Sequence, residues 1–138
     1  MSKSIEGMIE CPFYLEEGKN VAIVTDRGTP IISDPGYKTV KFLKDNGYNV
    51  IGLPGACAFV PALIMSSISS EHFTFYGFLE RENKKMRDEL LIIKNDSSKI
   101  AVIYESPKRI VNTLERVMEE LDNPYICLCN DELLKQYL

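Results

Sequence analysis

Two short loops, one carboxylate and one basic stretch hold the residues whose types and spacing could do chemistry. Asp26, Gly28, Thr29, Pro30, Ile32 and Asp34 fall in TDRGTPIISDPGY, and Gly55, Cys57 and Ala58 in LPGACA. Small residues let a ligand approach the backbone, and amides left free at a helix start can donate hydrogen bonds to it. Asp beside Gly and Pro also serves simply to cap and turn the chain. The first loop exceeds the ~2–6 residues usual between a strand and a helix, which favours a pocket. Its Gly and Lys spacing is not that of a phosphate loop, so a nucleoside triphosphate is not indicated. Glu105, in YESPKR, is the candidate proton acceptor, with an ion pair to Lys108 or Arg109 as its alternative role. No nucleophile and base pair can be read. Residues 81–109 carry Arg81, Lys84, Lys85, Arg87, Lys94, Lys99, Lys108 and Arg109 against Glu82, Asp88, Glu89, Asp96 and Glu105, eight against five. That surplus suits a polyanion, and a solvated helix face explains it equally well.

These residues need elements to position them. Val21–Val24, rich in β-branched types, predicts a buried parallel strand whose carboxyl end carries the first loop, where α/β sheets bind ligands. Asp34 is placed to N-cap the following helix, with Pro35 in its first turn. Tyr37, Val40, Phe42 and Leu43 line one side of that helix, which ends near Asn46 with Gly47 as a left-handed cap. Tyr48–Leu53 predicts a second strand. Together these make a right-handed βαβ unit, so Gly28, Thr29, Pro30, Ile32, Cys57 and Ala58 are expected in one pocket at one sheet edge.

Further along, Phe59–Ile68 reads as helical and Ser66–Glu71 as a domain boundary. Phe73–Leu79 predicts a strand broken by Gly77. A helix follows over about Asn83–Lys94, with Met86, Leu90 and Ile93 inward. Lys99–Tyr104 predicts another strand, and Ser106-Pro107 opens a helix burying Ile110, Val111, Leu114, Val117, Met118 and Leu121 until Pro124 stops it. Tyr125–Cys129 predicts a last strand. Residues 1–17 read as a loose lead-in or short helix, with Pro12 against a continuous one.

A chain of 138 residues can bury one ordinary core or parts of two. With 45% hydrophobic and 26% charged residues it is a globular composition, and no apolar run approaches a membrane span. The first residues, MSKSIEGMIE, lack the apolar core of a secretion signal, which predicts a cytoplasmic protein. Cys11, Cys57, Cys127 and Cys129 lack disulfide-framework spacing and are expected as buried thiols, and the single histidine, His72, is isolated, so no metal site is expected. The net charge of −4 argues mildly against a nucleic-acid partner.

Four motifs in order, TDRGTPIISDPGY, LPGACA, FYGFLER (Phe75–Arg81) and YESPKR (Tyr104–Arg109), closely resemble the tetrapyrrole methylase superfamily, and within it the ribosomal RNA small-subunit methyltransferase I branch. The resemblance covers about residues 18–130. It implies an α/β fold built from parts of two sandwich-like domains, residues 1–70 as the second half of an N-terminal cofactor domain and 71–138 as the first half of a C-terminal one. It implies S-adenosylmethionine as cofactor, held by Asp26, Gly28, Thr29, Pro30, Ile32, Asp34, Gly55, Cys57 and Ala58, the last two beside the adenosyl part. It implies methylation of a cytidine ribose 2′-oxygen in small-subunit ribosomal RNA, with Arg81, Lys84, Lys85, Arg87, Ser106 and Arg109 on the substrate side. An apolar sheet edge left unpaired beside Val21–Val24 is expected to favour self-association, and with it a homodimer. Because the donor methyl is already activated, alignment can supply much of catalysis.

The sequence departs from the family at Arg27, where alanine is usual, at Ala56-Cys57 in place of Pro-Ser, and in the tail CNDELLKQYL, which has an extra residue and Leu for Thr. A family first strand with a Thr-Pro-x-Gly-Asn turn and a longer carboxyl-terminal part are not in this sequence, so an incomplete chain with little or no activity by itself is expected. Two alternatives stay open: a catalytically silent α/β fragment with a binding role or none, and a methylase of a tetrapyrrole ring, which TDRGTP and YESPKR disfavour.

Overall fold

The computed structural model of the chain describes residues 11–26 and 28–130. The expectations for residues 1–10, Arg27 and the tail after Asn130 lie outside the described residues. The chain divides into two compact units, Met1–Cys57 and Ala58–Leu138. The boundary expected at Ser66–Glu71 falls inside the second unit.

In the first unit, residues 11–16 are helical and close on Gly18, in the left-handed region at φ 74°. Helix α1 is Tyr37–Asp45. Gly47 (φ 80°) ends it as the sequence predicts: its amide donates to the Lys44 carbonyl and that of Tyr48 to Leu43, two bonds that satisfy the last free carbonyls. The start differs. Gly36, at φ 132°, is the N-cap and no side chain caps the helix, so Asp34 and Pro35 stay in the loop. Leu43 is buried as expected, whereas Tyr37 and Phe42 are exposed.

Neither predicted strand of this unit forms. Residues 21–24 and 48–53 have no regular structure, and Val24, Ile51 and Leu53 are 79%, 71% and 79% exposed. β-Branched residues favour an extended chain, but a strand also needs a ladder partner, and among the described residues neither segment has one. The expected βαβ unit is therefore two irregular segments joined by α1.

The second unit is a true βαβ arrangement. After helix α2 (Phe59–Met65), shorter than the predicted Phe59–Ile68, come β1 (Thr74–Phe78), α3 (Asn83–Lys94), β2 (Ala101–Tyr104) and α4 (Ile110–Glu120). β1 and β2 pair in parallel from Thr74 opposite Ala101 to Phe78 opposite Tyr104, with a register shift between Phe75 and Gly77. Gly77 (φ 69°) supplies the left-handed residue at that irregularity, the break the sequence predicts.

Met86, Leu90 and Ile93, spaced to share one face of α3, are buried with Leu79 and Val117, and Tyr76, Ile103 and Leu121 pack against them. Leu90 is fully buried. On α4 the buried stripe is rotated from the predicted one: Thr113 and Val117, one turn apart, face inward, whereas Val111 and Met118 are exposed. The predicted strand over 125–129 is absent for the same reason as in the first unit, a missing ladder partner among the described residues. The four thiols are free, and only Cys11 is buried; Cys57 and Cys129 are half-buried and Cys127 is exposed, because irregular segments cover little surface.

Candidate functional site

The first loop is held in an unusual conformation. Gly28 (φ 70°), Ile31 (75°), Ser33 (57°) and Gly36 (132°) all lie at positive φ, and for a β-branched residue such as Ile31 that is a costly position. The Thr25 hydroxyl donates to the Gly28 carbonyl at 3.0 Å.

This loop meets the second one although neither supporting strand forms. Thr29 Oγ1 donates to the Ala56 carbonyl at 2.9 Å, across 27 residues of sequence. A Cβ added at Gly55 would stand 3.1 Å from Thr29 Oγ1, and one at Gly28 would stand 3.5 Å from the Ala56 carbonyl. Glycine at position 55 therefore allows the close approach. Of the predicted residues, Gly28, Thr29 and Gly55 are brought together here. Thr29, Pro30 and Cys57 are half-buried, Asp26, Gly28, Ile32, Asp34 and Gly55 are exposed, and Ala58 begins the second unit.

In the second unit the residues of YESPKR fold onto those of FYGFLER. Glu105, at the end of β2, has a side chain only 5% exposed, and its carboxylate lies 2.8 Å from Arg109 Nη2. It also accepts from the Thr113 hydroxyl at 2.6 Å and from the Ser106 amide at 2.6 Å. Arg109 Nη2 donates in addition to the Leu79 carbonyl at 3.0 Å, just past the end of β1. Burial pushes the Glu105 carboxyl up, but the bonds from Thr113, Arg109 and Ser106 and the positive charge of Arg109 outweigh it, so the group sits below its ordinary value. The ion pair weighed as its alternative role is present. Sequence reasoning missed Thr113, although Glu105, Arg109 and Thr113 recur at intervals of four, the helical signal for a shared face.

Elsewhere on the strand pair, the Tyr76 hydroxyl donates to Asp96 Oδ2 at 2.6 Å. Burial, reinforced by the Asp96 carboxylate, pushes the Tyr76 phenol up to about 12. Hydrogen bonds from Thr74, Tyr76 and Ser98 hold Asp96 well below the usual carboxylate range.

Three of the predicted substrate-side residues are held in separate ion pairs. Lys85 pairs with Glu82 at 3.1 Å, Arg87 with Glu120 at 3.1 Å, and Arg109 with Glu105. Among the described residues Arg81 and Lys84 make no ion pair, and Ser106 is half-buried. Among the described residues no cluster of three or more His, Cys, Asp or Glu could hold a metal ion, and no helix is long and apolar enough to cross a membrane.

The family model for Tetrapyrrole (Corrin/Porphyrin) Methylases matches residues 3–130. The chain belongs to this family. Both loop contacts described above lie inside the match, as do the strand pair and the Glu105 cluster. Among curated proteins, the chain is 44% identical over 124 residues to ribosomal RNA small subunit methyltransferase I of Bacillus subtilis (strain 168), covering 90% of the chain and 42% of that protein. It is 41% identical over 118 residues to the protein of the same name from Haemophilus influenzae, covering 85% and 41%, and 37% identical over 118 residues to that of Escherichia coli O157:H7, again covering 85% and 41%. The chain spans about two fifths of the length of the curated relatives it matches.

Proposed function

We propose that this tetrapyrrole methylase chain serves S-adenosylmethionine-dependent methylation of small-subunit ribosomal RNA, with a cytidine ribose 2′-hydroxyl as acceptor. The observation that carries this reading is the meeting of its two glycine-bearing loops through Thr29 and Ala56, in a chain 37–44% identical to relatives named ribosomal RNA small subunit methyltransferase I. The residues suit the cofactor: Gly55 lets the two loops approach each other closely, and the exposed Asp26, Asp34 and Gly28 beside that contact leave carboxylates that can accept from its hydroxyls and backbone within its reach. Pro30, Ile32, Cys57 and Ala58 complete the proposed binding set. When bound, the cofactor supplies an activated methyl.

Glu105 is not proposed as the proton acceptor. Its carboxylate is already engaged by three donors, and its depressed pKa makes it a weaker base. It orders Arg109 and the two strand ends. Residues 1–70 and 71–138 are proposed as halves of the family's N- and C-terminal domains, working in the cytoplasm. The exposed Val24, Ile51 and Leu53 support self-association, and with it the proposed homodimer. The same exposed segments favour a second reading, a chain that binds without turning over.

Two measurements decide. Calorimetric titration with S-adenosylmethionine should give binding that Thr29→Val weakens several-fold. Methyl-labelled cofactor supplied with small ribosomal subunits lacking the modification should place label in an alkali-resistant dinucleotide containing cytidine. Label on a base instead sinks the proposed acceptor; cofactor binding with no transfer supports the second reading.

A further inference from the structure

The basic residues that look like one cluster in sequence separate in the structure. Arg109 is held by Glu105 and the Leu79 carbonyl, and Lys85 by Glu82. Lys84 and Arg87 of α3 instead meet Arg116 of α4 around a cavity of about 270 Å³, lined also by Asn83, Leu90 and Glu120. Nothing in the sequence joins Arg116 to this group, since it lies some thirty residues away on another helix.

The two guanidinium groups are oriented but not used up. Arg87 Nε lies 3.1 Å from Glu120 Oε1, and Arg116 Nη1 donates to Glu119 Oε2 at 3.1 Å. A guanidinium has five N–H donors in a planar fork. Among the described residues neither Nη group of Arg87, nor Nε or Nη2 of Arg116, donates a hydrogen bond to the protein. Each carboxylate engages its guanidinium while leaving N–H edges suited to phosphate oxygens. Three cations, Lys84, Arg87 and Arg116, stand against two carboxylates, Glu119 and Glu120, leaving one positive charge. That small surplus suits a contact that positions a nucleic-acid strand better than a trap for a free anion.

We propose that the groove between α3 and α4 is a phosphodiester-contacting site for the RNA backbone, with Lys84, Arg87 and Arg116 as donors. It rests on the RNA reading above for its ligand. Fluorescence titration of the full chain with a small-subunit RNA hairpin, repeated over a range of salt, tests it. Lys84→Gln and Arg116→Gln should each lower the slope of log affinity against log salt by about one. Glu119→Gln should tighten binding, an effect that misfolding does not produce. Lys41→Gln, which removes a charge paired with Asp45 on α1, should change neither slope nor affinity by as much. If the chain binds the hairpin and the Lys84 and Arg116 variants keep the full slope, the groove is wrong and the RNA reading stands. If the chain does not bind the hairpin, inorganic phosphate separates the two ideas. Phosphate-induced shifts of the Asn83 and Lys84 amides keep the groove and remove RNA as its ligand; their absence overturns the groove as well.

Discussion

The second unit closes a core around Leu90, whereas the first holds its two loops together with only Cys11 and Leu43 buried among its described apolar residues. Composition does not separate them, since VAIV at 21–24 and AVIY at 101–104 are equally rich in strand formers. What separates them is a partner. β1 and β2 have each other, and α3 and α4 contribute to the core that β1 and β2 share, while in the first unit α1 has no ladder to cover. The comparison teaches that the geometry of a loop and the stability of its support can be set independently. Thr29 and Ala56 meet through one hydrogen bond, with one close glycine approach at Gly55, and without a formed strand beneath either loop.

The sharpest way to break this contrast is to cut into each unit in turn. Leu90→Ala should cost about 2–5 kcal/mol, the usual range for truncating a fully buried leucine. Leu43→Ala, with far less packed around it, should cost less than half as much. Urea unfolding followed by hydrogen exchange checks both, and equal costs would mean that the first unit has a core of its own.

A smaller effect is expected at Glu105. Glu105→Gln keeps the shape but weakens the bonds from Arg109, Thr113 and Ser106, at about 1.5–3 kcal/mol. The pH dependence follows from the direction of the shift. With its folded pKa below the ordinary 4.5, the Glu105 contribution is fully present above that value and is lost as pH falls through the folded pKa; Asp96 acts in the same sense. Tyr76 works at the other end. Because its pKa rises from 10.0 to about 12, the unfolded chain gives up the phenolic proton first, and stability falls across that interval. Denaturation midpoints measured against pH should lose the acid dependence partly in Glu105→Gln and the alkaline one in Tyr76→Phe.

How much of this was legible in sequence depends on the range of the interaction. The bounds of α3, its three inward residues, the Gly47 cap and the break at Gly77 are local consequences of periodicity or of a left-handed backbone, and all were readable. The strands over 21–24, 48–53 and 125–129 were not, because alternation and β-branching state a preference that only a neighbouring strand can satisfy. Thr113 shows an intermediate case: the spacing of four from Arg109 is visible, but treating a threonine as inward requires knowing that a buried carboxylate waits for its hydroxyl. In the candidate site, the two loops were expected to meet because a βαβ unit would bring them to one sheet edge; Thr29 and Ala56 do meet, but without either strand, and the conformation at Ile31 and Ser33 was not readable, since those residues ordinarily avoid positive φ.

The smallest expected effect tests that loop contact alone. Gly55→Ala places a methyl 3.1 Å from Thr29 Oγ1, so the hydroxyl must give way by a few tenths of an ångström. Global stability should change by under about 1 kcal/mol, the scale of one exposed hydrogen bond. Calorimetry with S-adenosylmethionine should nevertheless register weaker binding, and an unchanged affinity would separate the loop contact from the cofactor.

The bond from Arg109 to the Leu79 carbonyl has a consequence for how this chain can change length. It ties a point just past β1 to the turn after β2, so it acts as a gauge of both strands together. Deleting one residue within Ala101–Tyr104 would turn every following side chain to the opposite face of the sheet, and Glu105 would no longer meet Arg109 and Thr113. Insertions at 95–98, between α3 and β2, leave the gauge untouched. Length variation among working versions of this unit should therefore collect before β2 and be excluded between it and Thr113.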